Sequence, residues 1–429
     1  MKINIFWFRR DLRLTDNTAL HESLKKNNVK PIFIFDTDIT NKLEKDDARL
    51  SFIHSLLSSI NKDLNAHNSS VFCYHGKPEV IWKELISNHE IDTVFWNRDY
   101  EPYSIKRDNT IKQLLVNNNI EVKTFKDQVI FEEFDVLKKD NNPYTVYTPY
   151  KNKWLSTFKE INNKDDIKIN KQINFNSFYK KLIPFPSLKE LGFVQSNIKV
   201  KPFNFKYLSD YESFRDYPHK DFTSYLSPHL RFGSTSVREC VNFALKTNFV
   251  FLSELIWREF FMQILFHFPH VVDKSFKLKY DKIKWRNDPK DFEAWCNGKT
   301  GYPLVDAGMR QLNETGYMHN RVRMVTASFL VKHLLIDWRW GERYFAKKLL
   351  DFELSSNNGN WQWAAGTGCD SAPYFRIFNP IEQLKKFDSN LVYTKKWIND
   401  LGKQTYPSEI VDHRFARERC LSTYKDALN

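Results

Sequence analysis

Asn357, Trp361 and Trp363 make the stretch from Asp351 to Pro380 the densest run of chemistry-bearing residues in this 429-residue chain. Read as a helix, Asn357 and Trp361 lie four apart and share a face. Trp363 then points about 160° away from Trp361. One helix thereby sends an amide and an indole toward one ligand and a second indole toward another. Ser355, Ser356 and Asn357 are helix-start signals, and Gly366 and Gly368 mark the exit. Taken alone, the pattern fits a buried aromatic helix with a Gly-rich exit loop at least as well. Three other stretches change that balance.

In Tyr211–Gly233, Thr223, Ser224 and Ser227 put three hydroxyls within five residues, ahead of a helix starting near Ser234. Hydroxyls and backbone amides at such a turn make an anion pocket; the alternative is a capping segment. In Ser253–Phe261, the residues Glu254, Trp257, Arg258 and Phe261 fall at i, i+3, i+4 and i+7 on one helical face. A Glu254–Arg258 ion pair covered by Trp257 is the plainer reading. In Gly298–Trp340, Gly316 ends one helix and His319-Asn320 opens the next. Asn320, Arg323, Met324 and Ala327 then share a face offering an amide, a fixed charge and a soft apolar contact.

The elements that position these residues fall into two classes. Five apolar runs (INIFWF, PIFIFD, SVFCYH, DTVFWN and EVKTF) alternate with amphipathic stretches near 16–26, 48–66, 78–88 and 103–117. That alternation predicts a doubly wound parallel five-stranded sheet over residues 1–126. Its first crossover loop, Arg9 to Asn17, has no Gly, so the usual dinucleotide turn is not expected there. Residues 127–200, with Pro143, Pro149, Pro184 and Pro186, read as an irregular connector. From 201 to 429 the pattern is all-helical, with helices expected over 207–216, 234–247, 251–267, 290–297, 303–315, 320–336, 341–350, 357–365 and 380–402.

A net charge of +13 and a pI near 9.2 suit a polyanionic partner, nucleic acid first. A chain rich in Lys and Asn also drifts basic through base composition alone. Five Cys without metal-ligand spacing fit a reducing compartment and no disulfide framework. Met1-Lys2 leads directly into a strand-like run, and no apolar run approaches the ~18 residues of a membrane span. A cytoplasmic protein without metal or membrane is expected.

These stretches, in this order, closely resemble the photolyase/cryptochrome family, nearest to the class I cyclobutane pyrimidine dimer (CPD) photolyases of bacteria. WFRRDLRLTDN is similar to the opening of the family's α/β domain. TSYLSPHLRFG, LIWREFF, GYPLVDAGMRQL, MHNRVRM and NNGNWQWAAGTGCDSAPYFRIFNP are similar to its flavin-domain signatures. The resemblance implies FAD in the helical domain, active when reduced. Excited by blue light, it would pass an electron to a dimer flipped out of UV-damaged DNA and recover it after the ring splits.

By matching position, Tyr211, Thr223, Ser224, Tyr225, Leu226 and Ser227 would clasp the FAD phosphates and sugar. Arg258, Arg323, Asp351 and Glu353 would line the cofactor, and Asn357 would face flavin N5. Glu254 and Asn320 would hydrogen-bond the dimer or the adenine side of the pocket, and a protonated Glu254 could stabilise a dimer radical anion, a role that requires a raised pKa. Met324 would touch the dimer from the flavin side, and Trp257 and Trp363 would wall it. Trp361, Trp338 and Trp285 match the family's electron-transfer tryptophans, and Arg215, Arg321 and Arg376 its phosphate contacts.

The chain departs from the family pattern at Tyr225, where Arg is usual, and at Glu353, where many members have Asp. The loop Asn97–Ser104 carries Ser104 where folate-antenna members carry Glu. A second chromophore, if held, is expected to be of deazaflavin or flavin type. Asn320 and Met324 stand where (6-4) photoproduct enzymes place a His pair, which favours the cyclobutane substrate. The alternative is a cryptochrome-type photoreceptor that signals through a partner. The chain is expected to act as a monomer.

Overall fold

Val, Ile, Phe and Trp crowd five runs of the first 126 residues, and each run is a strand. These are β1 Ile3–Phe8, β2 Val29–Asp36, β3 Phe72–Gly76, β4 Ile91–Asn97 and β5 Glu121–Phe125. The computed structural model describes residues 2–162 and 167–429. All five strands pair in parallel, in the order β3-β2-β1-β4-β5. Every residue of β1 and β2 is buried, as a sheet covered on both faces requires. The covering helices are α1 Thr18–Ser23, α2 Ala48–Asn65, α3 Pro78–Asn88 and α4 Pro102–Asn117. Asn17 caps α1 and Asp47 caps α2, while α3 and α4 open on Pro. The doubly wound sheet expected from the sequence is the one that forms.

Strand order reverses between β1 and β4, the place where open α/β sheets usually bind ligands. Here the chain's own side chains fill it. The Asn97 amide nitrogen donates to Asp11 Oδ2 (2.6 Å) and Asn17 Oδ1 (2.8 Å), and its oxygen accepts from Ala19 N (3.0 Å). Arg13 donates to both Asp127 oxygens at 2.8 and 2.7 Å, and Arg238 reaches Asp16 and Asp127, each at 2.8 Å. Burial works against the Asp127 charge, yet the Arg13 and Arg238 guanidiniums hold its carboxyl below the usual range.

The chain divides into two compact units: residues 1–135, 156–203 and 225–246 in the first, and 136–155, 204–224 and 247–429 in the second. The expected boundaries at 126 and 200 differ from this division, and the expected irregular connector contains a four-turn helix, α5 Tyr147–Asn162. Tyr147, Tyr150, Trp154 and Phe158 recur on its buried face. Pro149 looks like a helix breaker in the sequence, but it falls in the first turn, where no intrahelical N–H is needed. Residues 163–166 of the same stretch lie outside the described residues.

The second unit is helical. It contains α6 Phe249–His267, α7 Pro303–Thr315, α8 Asn320–Ser328, α9 Trp338–Lys348, α10 Leu354–Ala365 and α11 His413–Leu428. Its core gathers Trp295, Tyr302, Leu330, Trp338, Phe345 and Trp361. The helix expected over 320–336 stops at Ser328 and continues as a wider π turn over Phe329–His333. There the buried Lys332 donates to the Ala365 carbonyl at 2.8 Å. The helix expected over 380–402 breaks in two because the Asp388 carboxylate accepts from Tyr393 N and Thr394 N, starting a new helix at Val392. Among the described residues, no helix is long and apolar enough to cross a membrane, and no group of three His, Cys, Asp or Glu could hold a metal.

Candidate active site

Two glycines set the position of α10. A Cβ at Gly359 would lie 2.1 Å from the Phe261 ring of α6, and one at Gly341 of α9 would lie 2.1 Å from the Trp361 ring. Both contacts need the missing side chain, and they bring α10 hard against α6 and α9. The i, i+4 reading of Asn357 and Trp361 holds, since both face α9. Trp361 meets Phe345 at 5.0 Å between ring centroids. Asn357 donates its amide nitrogen to the Glu342 carbonyl (3.1 Å) and carboxylate (2.8 Å). Those two bonds fix which way the amide points, and its oxygen accepts no hydrogen bond from the described residues. Burial raises the Glu342 carboxyl above its usual range. The sequence reading missed Glu342, whose only local signal is a position one turn after Trp338.

The start of α10 differs from expectation. The helix begins at Leu354 with Glu353 at the cap position, so Ser355, Ser356 and Asn357 lie inside the first turn. Ser355 Oγ is buried without a partner. Glu353 faces Arg258 of α6, which donates to it at 3.1 Å, so the carboxylate that replaces the usual Asp is committed to an arginine. The Glu254–Arg258 pair suggested by spacing does not form. Glu254 instead accepts from Arg215 at 2.6 Å.

Arg323 makes a two-pronged contact with Asp351, at 3.2 and 2.9 Å. Burial opposes the Arg323 charge, and the Asp351 carboxylate outweighs it, raising its pKa. Arg321 pairs with Asp216 at 2.7 Å, and its guanidinium sits 4.4 Å from the Phe387 ring centre. Of the three arginines read as phosphate contacts, Arg376 is exposed and makes no ion pair with the described residues, while Arg215 and Arg321 are engaged by Glu254 and Asp216. Asp216 was not foreseen, because its partner lies 105 residues away.

On α8, Asn320 is exposed and Arg323 and Met324 are half-buried. His319 caps the helix by accepting from Arg321 N at 3.2 Å. The Trp257 indole on α6 lies against Phe261, with centroids 5.4 Å apart, and Trp363 is half-buried on the side of α10 away from Trp361. Trp361 and Trp338 are buried and Trp285 is half-buried. No ring contact joins any two of these three; Trp361 touches Trp295 (6.1 Å) and Trp285 touches Tyr424 (6.0 Å).

Of the hydroxyl-rich turn, Tyr211, Thr223 and Ser224 belong to the second unit and Tyr225, Leu226 and Ser227 to the first. Thr223 Oγ1 is buried with no hydrogen-bond partner. The Tyr211 phenol is pushed up by burial and by the Glu254 carboxylate. Tyr225 adopts φ +53, and its hydroxyl accepts from Lys201 at 2.9 Å.

Residues 4–168 match the DNA photolyase family, and residues 251–404 match the FAD binding domain of DNA photolyase. A deoxyribodipyrimidine photo-lyase of Agrobacterium fabrum is 36% identical, with 98% of this chain and 97% of that protein covered. A bacterial class III photolyase from Agrobacterium tumefaciens superposes with a TM-score of 0.87 at 34% identity, covering 100% of this chain and 98% of the other. An archaeal photolyase from Sulfolobus tokodaii, solved with two FAD molecules, gives 0.84 at 34% identity over 99% of both chains. The residues present fit a bound flavin nucleotide. Thr223 offers a buried, unpartnered hydroxyl, Asn357 an oriented amide oxygen, and Arg323 a charge already balanced by Asp351.

Proposed function

The chain belongs to the DNA photolyase family, and we infer that its second unit holds reduced FAD against a cyclobutane pyrimidine dimer in UV-damaged DNA and splits it under blue light. The observation that carries this reading is the orientation of Asn357. With its donors held by Glu342, it offers an acceptor, and reduced flavin presents a donor at N5. FAD, when bound, supplies the light-driven electron.

The chain's own residues orient and exclude. Tyr211, Thr223 and Ser224 of the second unit would bind the phosphates and sugar. Arg258 and Glu353, and Arg323 and Asp351, form two ion pairs that would line the cofactor. Trp257 and Trp363 would wall the dimer and keep water from it, and Met324 would contact it. Asn320 and Glu254 would hydrogen-bond the pyrimidines. Glu254 is held by Arg215 in this structure, and a DNA phosphate would give Arg215 a second partner. Arg321 and Arg376 would join Arg215 on the phosphates. Trp361, Trp338 and Trp285 would relay electrons to the cofactor.

Asn320 and Met324 favour the cyclobutane over the (6-4) lesion. Repair is favoured over photoreception because Trp257, Trp363 and Met324, read as dimer contacts, are retained. The expectation of class I stands beside a match to a protein described as class III. Residues 1–126 are read as an antenna side, with a flavin- or deazaflavin-type chromophore, and 201–429 as the FAD side. The protein is read as a cytoplasmic monomer.

The test is repair in light against dark. Protein with chemically reduced FAD is incubated anaerobically with oligonucleotides carrying one CPD or one (6-4) lesion. Intact thymines are expected only in blue light and only from the CPD. Repair of the (6-4) lesion would overturn the substrate reading. Repair of neither, with FAD bound, would favour a photoreceptor.

A further inference from the structure

The segment that leads into α5 and forms its first turn carries Asn142-Pro-Tyr-Thr-Val-Tyr-Thr-Pro-Tyr150, an aromatic run that the site described above does not use. In the structure its central ring meets the lesion wall. Tyr147 stacks on the Trp257 indole with centroids 3.5 Å apart and planes 9° from parallel. Tyr147 is itself buried, at 6% exposure. Its hydroxyl donates to the Ser253 carbonyl of α6 at 2.6 Å, one turn before Trp257. Its backbone N–H donates to the Asp370 carboxylate at 3.0 Å, in the loop that leads to Arg376. Phe260 closes the edge of the stack, 5.9 Å from Tyr147 and 5.6 Å from Trp257.

We propose that Tyr147 is a positioning residue for lesion recognition: it holds the Trp257 indole flat and immobile so that the indole can serve as the wall of the dimer pocket. This rests on the reading of Trp257 as that wall. Without Tyr147 the half-buried Trp257 would keep only its Phe260 and Phe261 contacts, and binding a base against it would cost more ordering of the ring. Stacking on one face removes that cost before DNA arrives. The hydroxyl adds a bond to α6, and the Asp370 bond ties the same residue to the loop that leads to Arg376. Tyr147 touches neither dimer nor cofactor in this account, so its effect belongs in lesion affinity and not in the chemical step.

The experiment measures binding in the dark to a CPD-containing duplex and to its undamaged twin, using protein with FAD bound. Repair of saturating lesion under light is measured alongside. Tyr147→Ala is expected to weaken CPD binding about tenfold, the scale of one aromatic stacking contact. Undamaged-DNA affinity, FAD content and repair at saturation should stay at wild-type values. Tyr147→Phe keeps the ring and should restore CPD affinity; Tyr147→Leu fills space without a flat face and should not. In a Trp257→Ala background, Tyr147→Ala should add nothing to the loss.

CPD affinity unchanged in Tyr147→Ala would overturn the proposal. So would parallel losses of FAD and undamaged-DNA binding in the Ala and Leu variants, which would mark a general structural role. A wild-type protein that binds both duplexes alike would instead count against the functional reading on which the proposal rests.

Discussion

Asn97 and Asn357 are the same residue in comparable settings, and they end differently. Each is buried near the end of an element, beside a carboxyl group. Asn97 uses its amide nitrogen on Asp11 and Asn17 and its oxygen on Ala19. Asn17 is likewise saturated, donating to the Asp11 and Arg13 carbonyls and accepting from Leu20 N and Asn97. Asn357 uses its nitrogen on Glu342 and leaves its oxygen over. A buried amide whose groups are all paired specifies a fold. An amide whose oxygen takes no partner from the described residues is open to a ligand, because that acceptor is not committed to the fold. The difference separates the crevice of the parallel sheet, which the chain fills itself, from the helical site, which it leaves incomplete.

The largest effect that would break this comparison lies in the self-filled crevice. Arg13→Ala leaves Asp127 with one of its two arginines and takes a buried guanidinium from Asp16 O and Gly233 O. Removing one partner from a buried ion pair costs about 3–5 kcal/mol. Denaturant unfolding should show a loss on that scale, while light-dependent repair per folded molecule stays near wild type. If Arg13→Ala instead abolished repair in protein that remained folded, the crevice would be functional and the comparison would fail.

His319 sharpens the comparison, because its Nδ1 is committed to the backbone inside the helical unit. It caps α8 through Nδ1, which must be unprotonated to accept from Arg321 N. Burial pushes its pKa down to about 4 from an ordinary value of 6.5. The folded state therefore resists a proton that the unfolded chain accepts. The stability is fully present above pH 6.5 and is lost as pH falls toward 4. A depression of this size is worth up to about 3 kcal/mol. His319→Asn keeps a capping side chain and should flatten that part of the stability–pH curve. An unchanged acid limb in His319→Asn would show that another group sets it.

Local pattern carried the sheet and most helices, because alternation, Pro and cap residues act within a few positions. It also placed Asn357 and Trp361 on one face, which needs only the helical repeat. It missed the partners. Glu342 orients Asn357 from 15 residues away, Arg215 reaches Glu254 from 39, and Tyr147 meets Ser253 from 106. Such pairs are settled by how helices pack, and no local spacing encodes that. The same limit explains α5. Its apolar repeat was present, but Pro149 weighed against a helix until the start of the first turn was known.

The sharpest test exchanges the two asparagines' fates. Asn97→Ala removes three hydrogen bonds from a closed network and leaves the Asp11 carboxyl, already raised by burial, with less support. A loss of about 1–3 kcal/mol in unfolding stability is expected, with no change in how firmly reduced FAD is kept. Asn357→Ala should do the reverse. The fold should lose less, since only the two bonds to Glu342 go. Reduced FAD, however, loses an acceptor worth about 1 kcal/mol, so it should reoxidise in air about fivefold faster. Both quantities are measured on the same preparations, by urea unfolding and by flavin absorbance after chemical reduction. Should Asn357→Ala unfold as readily as Asn97→Ala while reduced FAD persists unchanged, the leftover oxygen would be no ligand group, and the distinction between a closed and an open amide would fall with it.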